Sequence, residues 1–287
     1  MSPVEDVALR GLTVAGADGY HWIYLAAEHH PHSWPVTLDG TRPSFNLLSR
    51  HDSIGPAHAR GGAMTARITA DDVALRLEAA ADEAERARIR KRLSDPVIQV
   101  LGVRMGSVFD IARLAQGMEL AQVHLLLDSD VYEMRMVAAA VLDFKTRGRG
   151  VSEEDRTALY EVMMSRIDRF NTWDLIDRAA PRVVGWYLLD KPRDVLFDLA
   201  RSDDRWRRRL AITAAFWIIR QGDLDDPLML CTLLAGDPER LVQTNVGVAL
   251  REIGRVDSQR LTRFLDQHEG ELSAVARRTA RTALTTA

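Results

Sequence analysis

The stretch "NTWDLIDRAAP", residues 171–181, sets an indole and two carboxylates within five positions: Trp173, Asp174 and Asp177. In a helix, Trp173 and Asp177 are four apart and share a face, their Cβ atoms roughly 6 Å apart. A helix that only filled a core has no use for acids there. Two readings of Asp177 follow. It pairs with Arg209 or Arg178 and holds neighbouring segments together. Or it stands open beside the ring, where a carboxylate and an electron-rich aromatic face stabilise a positive centre. In a nucleic acid that centre is a cationic alkylated base, or the oxocarbenium-like sugar formed when a glycosidic bond breaks. The chemical reading requires both groups to be open to solvent. An acid neutralised in the interior would undo it.

The elements that must position these residues are helices. From about residue 70 the chain carries helical patterning, with Thr69 or Asp71 as the first N-cap candidate. One helix is expected across "TADDVALRLEAAADEAERARIRKRL", then, after "VLGVRMGS", helices over roughly 107–115, 119–127, 131–145, 153–169, 172–189, 193–201, 204–220, 225–235, 239–254, 257–267 and 272–285. The breaks carry helix-stop residues, as in "KTRGRG", "LDKP", "RQGDLDDP" and "LAGDP". No convincing strand is visible. An internal repeat aligns "DSDVYEMRMVAAAVL", "FNTWDLIDRAAPRVV", "SDDRWRRRLAITAAF" and "GDPERLVQTNVGVAL". It places Arg135, Asp177, Arg209 and Gln243 in equivalent positions. The intervals suit paired-helix repeats, which stack into a solenoid whose equivalent positions line one concave face. The expected fold is all-α, a curved solenoid of antiparallel helix pairs. Its arginine-lined hollow suits a phosphate backbone.

Composition narrows the classes. Apolar residues are 46% of the 287 and the formal net charge is −3. That charge argues weakly against nucleic-acid binding, but its distribution matters more. From Lys145 to Arg209 there are 15 Lys/Arg against 12 Asp/Glu, nearly all the bases being arginine. No apolar run approaches the roughly 18–20 residues that cross a bilayer, and no secretory signal is evident. Cys231, the single cysteine, lies in "LMLCTLLAG" and reads as a buried core thiol. Residues 1–63 hold six of the eight histidines and lack sustained periodicity. They read as a disordered extension, or as an upstream mis-assigned start with translation beginning near Met64. His29, His30 and His32 lack the carboxylate or cysteine that would complete a familiar metal-ligand spacing, so no metal is expected. The helical domain is then residues 64–287.

Residues 70–285 resemble the AlkD-like DNA glycosylases, bacterial DNA alkylation repair enzymes built from HEAT-like repeats. "VLGVRMGSVFDIAR" is similar to the family's Leu-Gly-Val element, and "WDLIDRAAPRVVGWYLLDKP" to its Trp-Asp-x-Val-Asp stretch. "RWRRRLAITAAFWIIRQGD" is similar to its Trp-x-x-Arg helix, and "LVQTNVGVALREIGRVD" to its Gln-x-x-x-Gly-x-x-Leu-Arg-Glu helix. The resemblance implies that Trp173 packs on the deoxyribose of the damaged nucleotide and that Asp177 stabilises the sugar cation and helps position water. It implies that Arg209 grips the backbone. Arg135 and Gln243, from the repeat register, and Arg208 are expected as further DNA contacts. The implied activity is hydrolytic release of cationic N3- or N7-alkylpurines from duplex DNA without base flipping, with no cofactor. The expected protein is a cytoplasmic, nucleoid-associated monomer with no membrane partner. One departure is Val248, where an aromatic cleft wall follows the glycine in the family; an aromatic expected near Leu93 is also missing. Three alternatives stay open: a non-catalytic binder of damaged or branched DNA, a helical-repeat scaffold with no nucleic-acid role, and a self-resistance glycosylase for bulky alkylating natural products.

Overall fold

The computed structural model describes residues 12–15, 21–24, 67–93 and 98–285. The chain divides into two compact units, Met1–Thr65 and Ala66–Ala287. In the first, strands β1 (Leu12–Ala15) and β2 (His21–Tyr24) pair antiparallel with Leu12 opposite Tyr24. No strand was expected from the sequence; each spans only four residues, too short to read as a period. The histidine cluster at 29–32 and Met64 lie outside the described residues.

The second unit is helical. Its α-helices are α1 (Ala70–Ala79), α2 (Glu83–Arg92), α3 (Met105–Leu114), α4 (Leu120–Asp128), α5 (Tyr132–Thr146), α6 (Glu153–Ser165) and α7 (Trp173–Ala180). Then come α8 (Asp194–Ala200), α9 (Arg205–Arg220), α10 (Asp225–Leu233), α11 (Arg240–Val256), α12 (Ser258–His268) and α13 (Ala274–Arg281). They form two layers. Helices α3, α5, α7, α9, α11 and α13 lie side by side in chain order; α4, α8, α10 and α12 pack against them from behind, α4 beside α6 and α8 beside α10. None of the described helices is long and apolar enough to cross a membrane.

Composition separates the layers. Helices α5, α9 and α11 are buried on nearly every side through Ala, Val, Ile and Leu. Each large aliphatic side chain sealed there contributes about 1.5–3 kcal/mol. The front-layer segments also approach closely. A Cβ on Gly185 would lie 2.1 Å from the Ala214 carbonyl oxygen, and one on Gly247 2.7 Å from the Ala276 Cα. Only glycine permits those contacts.

Helix ends follow local chemistry. Thr69 with Asp72, and Ser152 with Asp155, close reciprocal capping boxes. Two expected helices are broken. The segment from residue 70 is two helices, because the Asp82 side chain accepts from Glu85 N and starts α2 afresh. The 172–189 frame leaves α-geometry at Pro181, whose missing N–H ends the hydrogen-bond series. The chain continues as a π-turn over Pro181–Gly185 and a 3₁₀ turn over Tyr187–Asp190.

Candidate functional site

The site is built from the N-terminal halves of front-layer helices and the end of α2. Trp173 opens α7 and is partly exposed. The Arg92 guanidinium, from the end of α2, lies 5.6 Å from the centre of its ring. The neighbouring acid explains this placement. Asp174 is buried; one oxygen accepts from the Thr172 hydroxyl at 2.6 Å and from Leu175 N at 3.0 Å. The other accepts from the Tyr132 hydroxyl at 2.5 Å and from Arg92. Asp174 therefore fastens α2 and α5 to the start of α7, and the indole is held by what its neighbour binds. Arg92 is also the group that covers the ring where the sequence lacks an aromatic near Leu93; Leu93 itself is buried.

Asp177, one turn on, points inward and is 4% exposed. Arg209 of α9, 1% exposed, donates to both of its oxygens: Nε to Oδ1 at 3.1 Å and Nη2 to Oδ2 at 2.5 Å. The Asn245 amide of α11 donates to Oδ1 at 3.1 Å and to the Thr213 hydroxyl at 2.7 Å. Arg209 also donates to the Leu241 carbonyl. Burial pushes the Asp177 carboxyl above its ordinary value, and the Arg209 charge and the hydrogen bonds pull it back only part of the way. The group is thus a neutralised, interior acid joining three repeats. This is the arrangement of the structural alternative drawn from the sequence: in this conformation the acid is paired and not open to solvent.

The other repeat-equivalent residues also turn inward, so they do not line a hollow. Arg135, buried, donates to Asn171 Oδ1 at 2.7 Å and to the Arg169 carbonyl at 3.3 Å. Gln243, buried, donates to the carbonyls of Leu234 and Ala235 that end α10 and accepts from Ser273 N at 3.0 Å. Each answers backbone groups left over at helix ends. Arg208 is partly exposed but holds Asp237 at 2.6 Å and the Ser202 and Asp203 carbonyls. Val248 is buried in α11, so it is an interior residue and not a missing wall of an open cleft. An indole at 248 would overpack the interior. Asn245, in contrast, was not anticipated. It is two residues from Gln243 and so falls on another face of α11, and the repeat alignment draws attention only to the first.

Two further features fit the sequence motifs. Glu133, fully buried, accepts from Leu101 N, Gly102 N and Val103 N at 3.0, 2.8 and 3.2 Å. The Leu-Gly-Val element is thereby pinned to α5; Gly102 sits at φ 91°, and a Cβ there would meet the Asp82 carbonyl at 2.2 Å, so the position takes glycine on both counts. The remaining tryptophans of the helical unit carry arginines on their faces: Arg156 lies 4.4 Å from the centre of Trp186, Arg205 4.8 Å from that of Trp206 and Arg182 4.4 Å from that of Trp217.

A model of the DNA alkylation repair enzyme family matches residues 73–284. The chain belongs to that family. The match spans all of the front-layer helices from α3 to α13 and every candidate residue above. A solved structure described as a predicted DNA alkylation repair enzyme from Enterococcus faecalis is similar in fold, with a TM-score of 0.57 and 15% identity, covering 72% of this chain and 98% of that one. At that identity the likeness speaks for the all-α architecture alone. A search of curated proteins found no match. DNA alkylation repair enzymes act on DNA, and membership makes this chain a DNA repair enzyme by family. Among the described residues no three His, Cys, Asp or Glu side chains are grouped to hold a metal ion.

Proposed function

We propose that this DNA alkylation repair family member is a DNA glycosylase that releases cationic N3- or N7-alkylated purines from duplex DNA while the base stays stacked. The observation that carries the reading is the shared placement of Trp173, Asp177 and Arg209 in the first two turns of two adjacent helices, with Arg209 donating to both oxygens of the acid. In the resting state the acid is sealed. A backbone phosphate beside the lesion competes for the same guanidinium, which binds phosphate and carboxylate through the same forked geometry. Drawing Arg209 to the phosphate unmasks the Asp177 charge next to the deoxyribose. The C1′–N bond then breaks with its electron pair passing to the base, which neutralises the cationic ring. Water adds to C1′, and its proton passes to Asp177 or to solvent. Trp173 supplies an aromatic face to the sugar as positive charge develops. The lesion's own charge lowers the barrier, so the protein supplies only part of the acceleration.

The burial of Asp177 favours a second reading, a DNA-binding relative whose acid serves structure only. Release of 7-methylguanine and 3-methyladenine from alkylated duplex separates the two, with a panel extended to bulky N7 adducts. Base release by the wild type that is lost in Asp177→Asn, measured below the variant's unfolding temperature, is the expected result. Tight binding with no release of any adduct would leave the second reading in place.

A further inference from the structure

The polar link at Asp177 contains two side chains that the repeat register does not explain. Two positions after the register residue, α5, α7 and α9 carry Val137, Ala179 and Ala211, each fully buried. The matching residue of α11 is Asn245, equally buried. An amide in that apolar row bears a desolvation penalty that a small aliphatic side chain avoids. Four positions after the register residue, α9 likewise carries Thr213 where α5 has Ala139 and α11 has Gly247. The two exceptions meet at Asp177.

Hydrogen bonds fix the direction of the amide. The Thr213 hydroxyl donates to the Arg209 carbonyl at 2.7 Å, so its oxygen is left as an acceptor for Asn245. Asn245 Nδ2 donates to that oxygen at 2.7 Å and to Asp177 Oδ1 at 3.1 Å. Turned over, the amide would set its own oxygen against two others. Its carbonyl is buried and has no hydrogen-bond partner among the described residues. A side chain that only tied helices together would satisfy both ends, as Gln243 does on the same helix. Asn245 leaves its acceptor unmatched and aims both donors at the Asp177–Thr213 pair. Asp177 is therefore held in two ways. Arg209 reaches both oxygens, while Asn245 reaches Oδ1 alone. When Arg209 is drawn to a phosphate, the cation and its two hydrogen bonds leave. Asn245 and Thr213 stay, because their hydrogen bonds involve neither the Arg209 side chain nor DNA. A buried carboxylate deprived of cation and donors takes up a proton; an N–H held against one oxygen favours the ionised form.

We propose that Asn245, seated by Thr213, is a positioning residue for Asp177: it holds Oδ1 while Arg209 turns to a DNA phosphate, so that the carboxylate keeps its place with Oδ2 released for the sugar cation. The proposal rests on the glycosylase reading, and Asn245 acts only through Asp177. Burial pushes the Asp177 carboxyl up, the Arg209 charge and the Asn245 hydrogen bond pull it down, and Asp174 on the same helix pushes it up. The elements packed on α7 also bring up Arg135 and Asp143 of α5 and Arg182 of the following turn, Asp143 taking Arg182 at 3.5 Å and Arg178 of α7 at 2.7 Å. All of these are common to the variants compared below, so a difference between variants reports the Asn245 bond.

The test uses the full chain and two readouts. One is the titration of the Asp177 carboxyl, followed by carbon-13 NMR and assigned by its loss in Asp177→Asn. The other is the pH profile of kcat for release of 7-methylguanine from alkylated duplex. Asn245→Val removes the donors at similar size. It is expected to raise the Asp177 midpoint by about one pH unit. Because the ionised acid is the active form, the acid limb of kcat should move up with it, with a loss of about tenfold on that side and KM within about twofold. Thr213→Val, which removes the seat, should shift both midpoints the same way by less, and Thr213→Ser, which keeps the hydroxyl, should recover them. Leu250→Ala, a core change on α11, should lower the melting temperature and leave both midpoints in place. An Asn245→Val titration that stays with wild type overturns the proposal whatever its stability, and so does a shifted titration with an unmoved kcat profile. Should Asn245→Val fail to fold, the Thr213 pair decides, and equal midpoints in Thr213→Val and Thr213→Ser overturn it. The glycosylase reading fails separately: a wild type that releases no adduct sinks the enzyme, and the titration still shows whether Asn245 holds Asp177.

Discussion

Asp177→Asn is usually chosen to remove a charge while preserving shape, but here it has a structural cost. Arg209 is 1% exposed and directs two of its donors at the Asp177 oxygens. The substitution leaves that cation in the interior with one amide oxygen and the Leu241 carbonyl. Breaking one side of a buried ion pair costs about 3–5 kcal/mol. An asparagine that keeps one hydrogen bond places this case near the lower end. For a helical unit of this size, a few kcal/mol lowers the melting temperature by on the order of 10 °C. The assay is urea unfolding followed by tryptophan fluorescence, with wild type, Asp177→Asn, Arg209→Met and the double variant forming a cycle. The double variant should recover much of the loss, because a buried pair replaced on both sides by uncharged groups is often tolerated. A single variant within about 1 kcal/mol of wild type would refute the reasoning, since that is the range of an exposed ion pair. It would mean that Asp177 opens to solvent readily in the free protein.

Three further outcomes are expected. Glu133→Gln should destabilise the chain by about 1.5–3 kcal/mol, because one amide oxygen cannot replace a carboxylate accepting three backbone N–H bonds; chemical denaturation measures it. Gly185→Ala should cost about 1–3 kcal/mol, as the added methyl meets the Ala214 carbonyl at van der Waals overlap, and should be visible as a lower melting temperature. Cys231 is fully buried and its thiol is pushed well above the ordinary value by desolvation. It should therefore react with a thiol reagent only as fast as the chain unfolds, and rapid labelling of the native protein would contradict that.

The helical layout was legible because its punctuation is chemical. Thr69, Ser152 and the Gly-Asp stops act through backbone hydrogen bonds that depend on neighbours in the chain, so their effect can be read locally. The repeat register was legible too, since one polar position recurs in α5, α7, α9 and α11. The direction of that position was not. A polar residue repeating at the interval of stacked helices serves equally as a lining for a hollow or as a link between layers. Only the partners the folded chain brings up, such as the Leu241 carbonyl 32 residues from Arg209, decide between them. Asp177 carried both possibilities from the start; its pairing with Arg209 was one of them, while Asn245, which completes the link, has no signature of its own. Arg178 was visible as a candidate partner for Asp177, but its attachment to Asp143 depends on α5 and α7 lying side by side. The break after α1 was missed because a run of alanines continues a helix on paper as readily as it ends one.

The inward-facing polar links bear on how the stack comes apart. Repeat arrays commonly lose their end units one at a time, because each unit touches only its neighbours. Here Arg135 reaches the segment before α7, Asp177 reaches α9 and α11, and Gln243 reaches the first residue before α13. Peeling off the last helix strands an amide oxygen and uncovers the notch at Gly247, and the cost passes up the stack from one link to the next. The helices from α5 to α13 are accordingly bound to melt together, and a shortened version lacking its final helix would forfeit more than that helix.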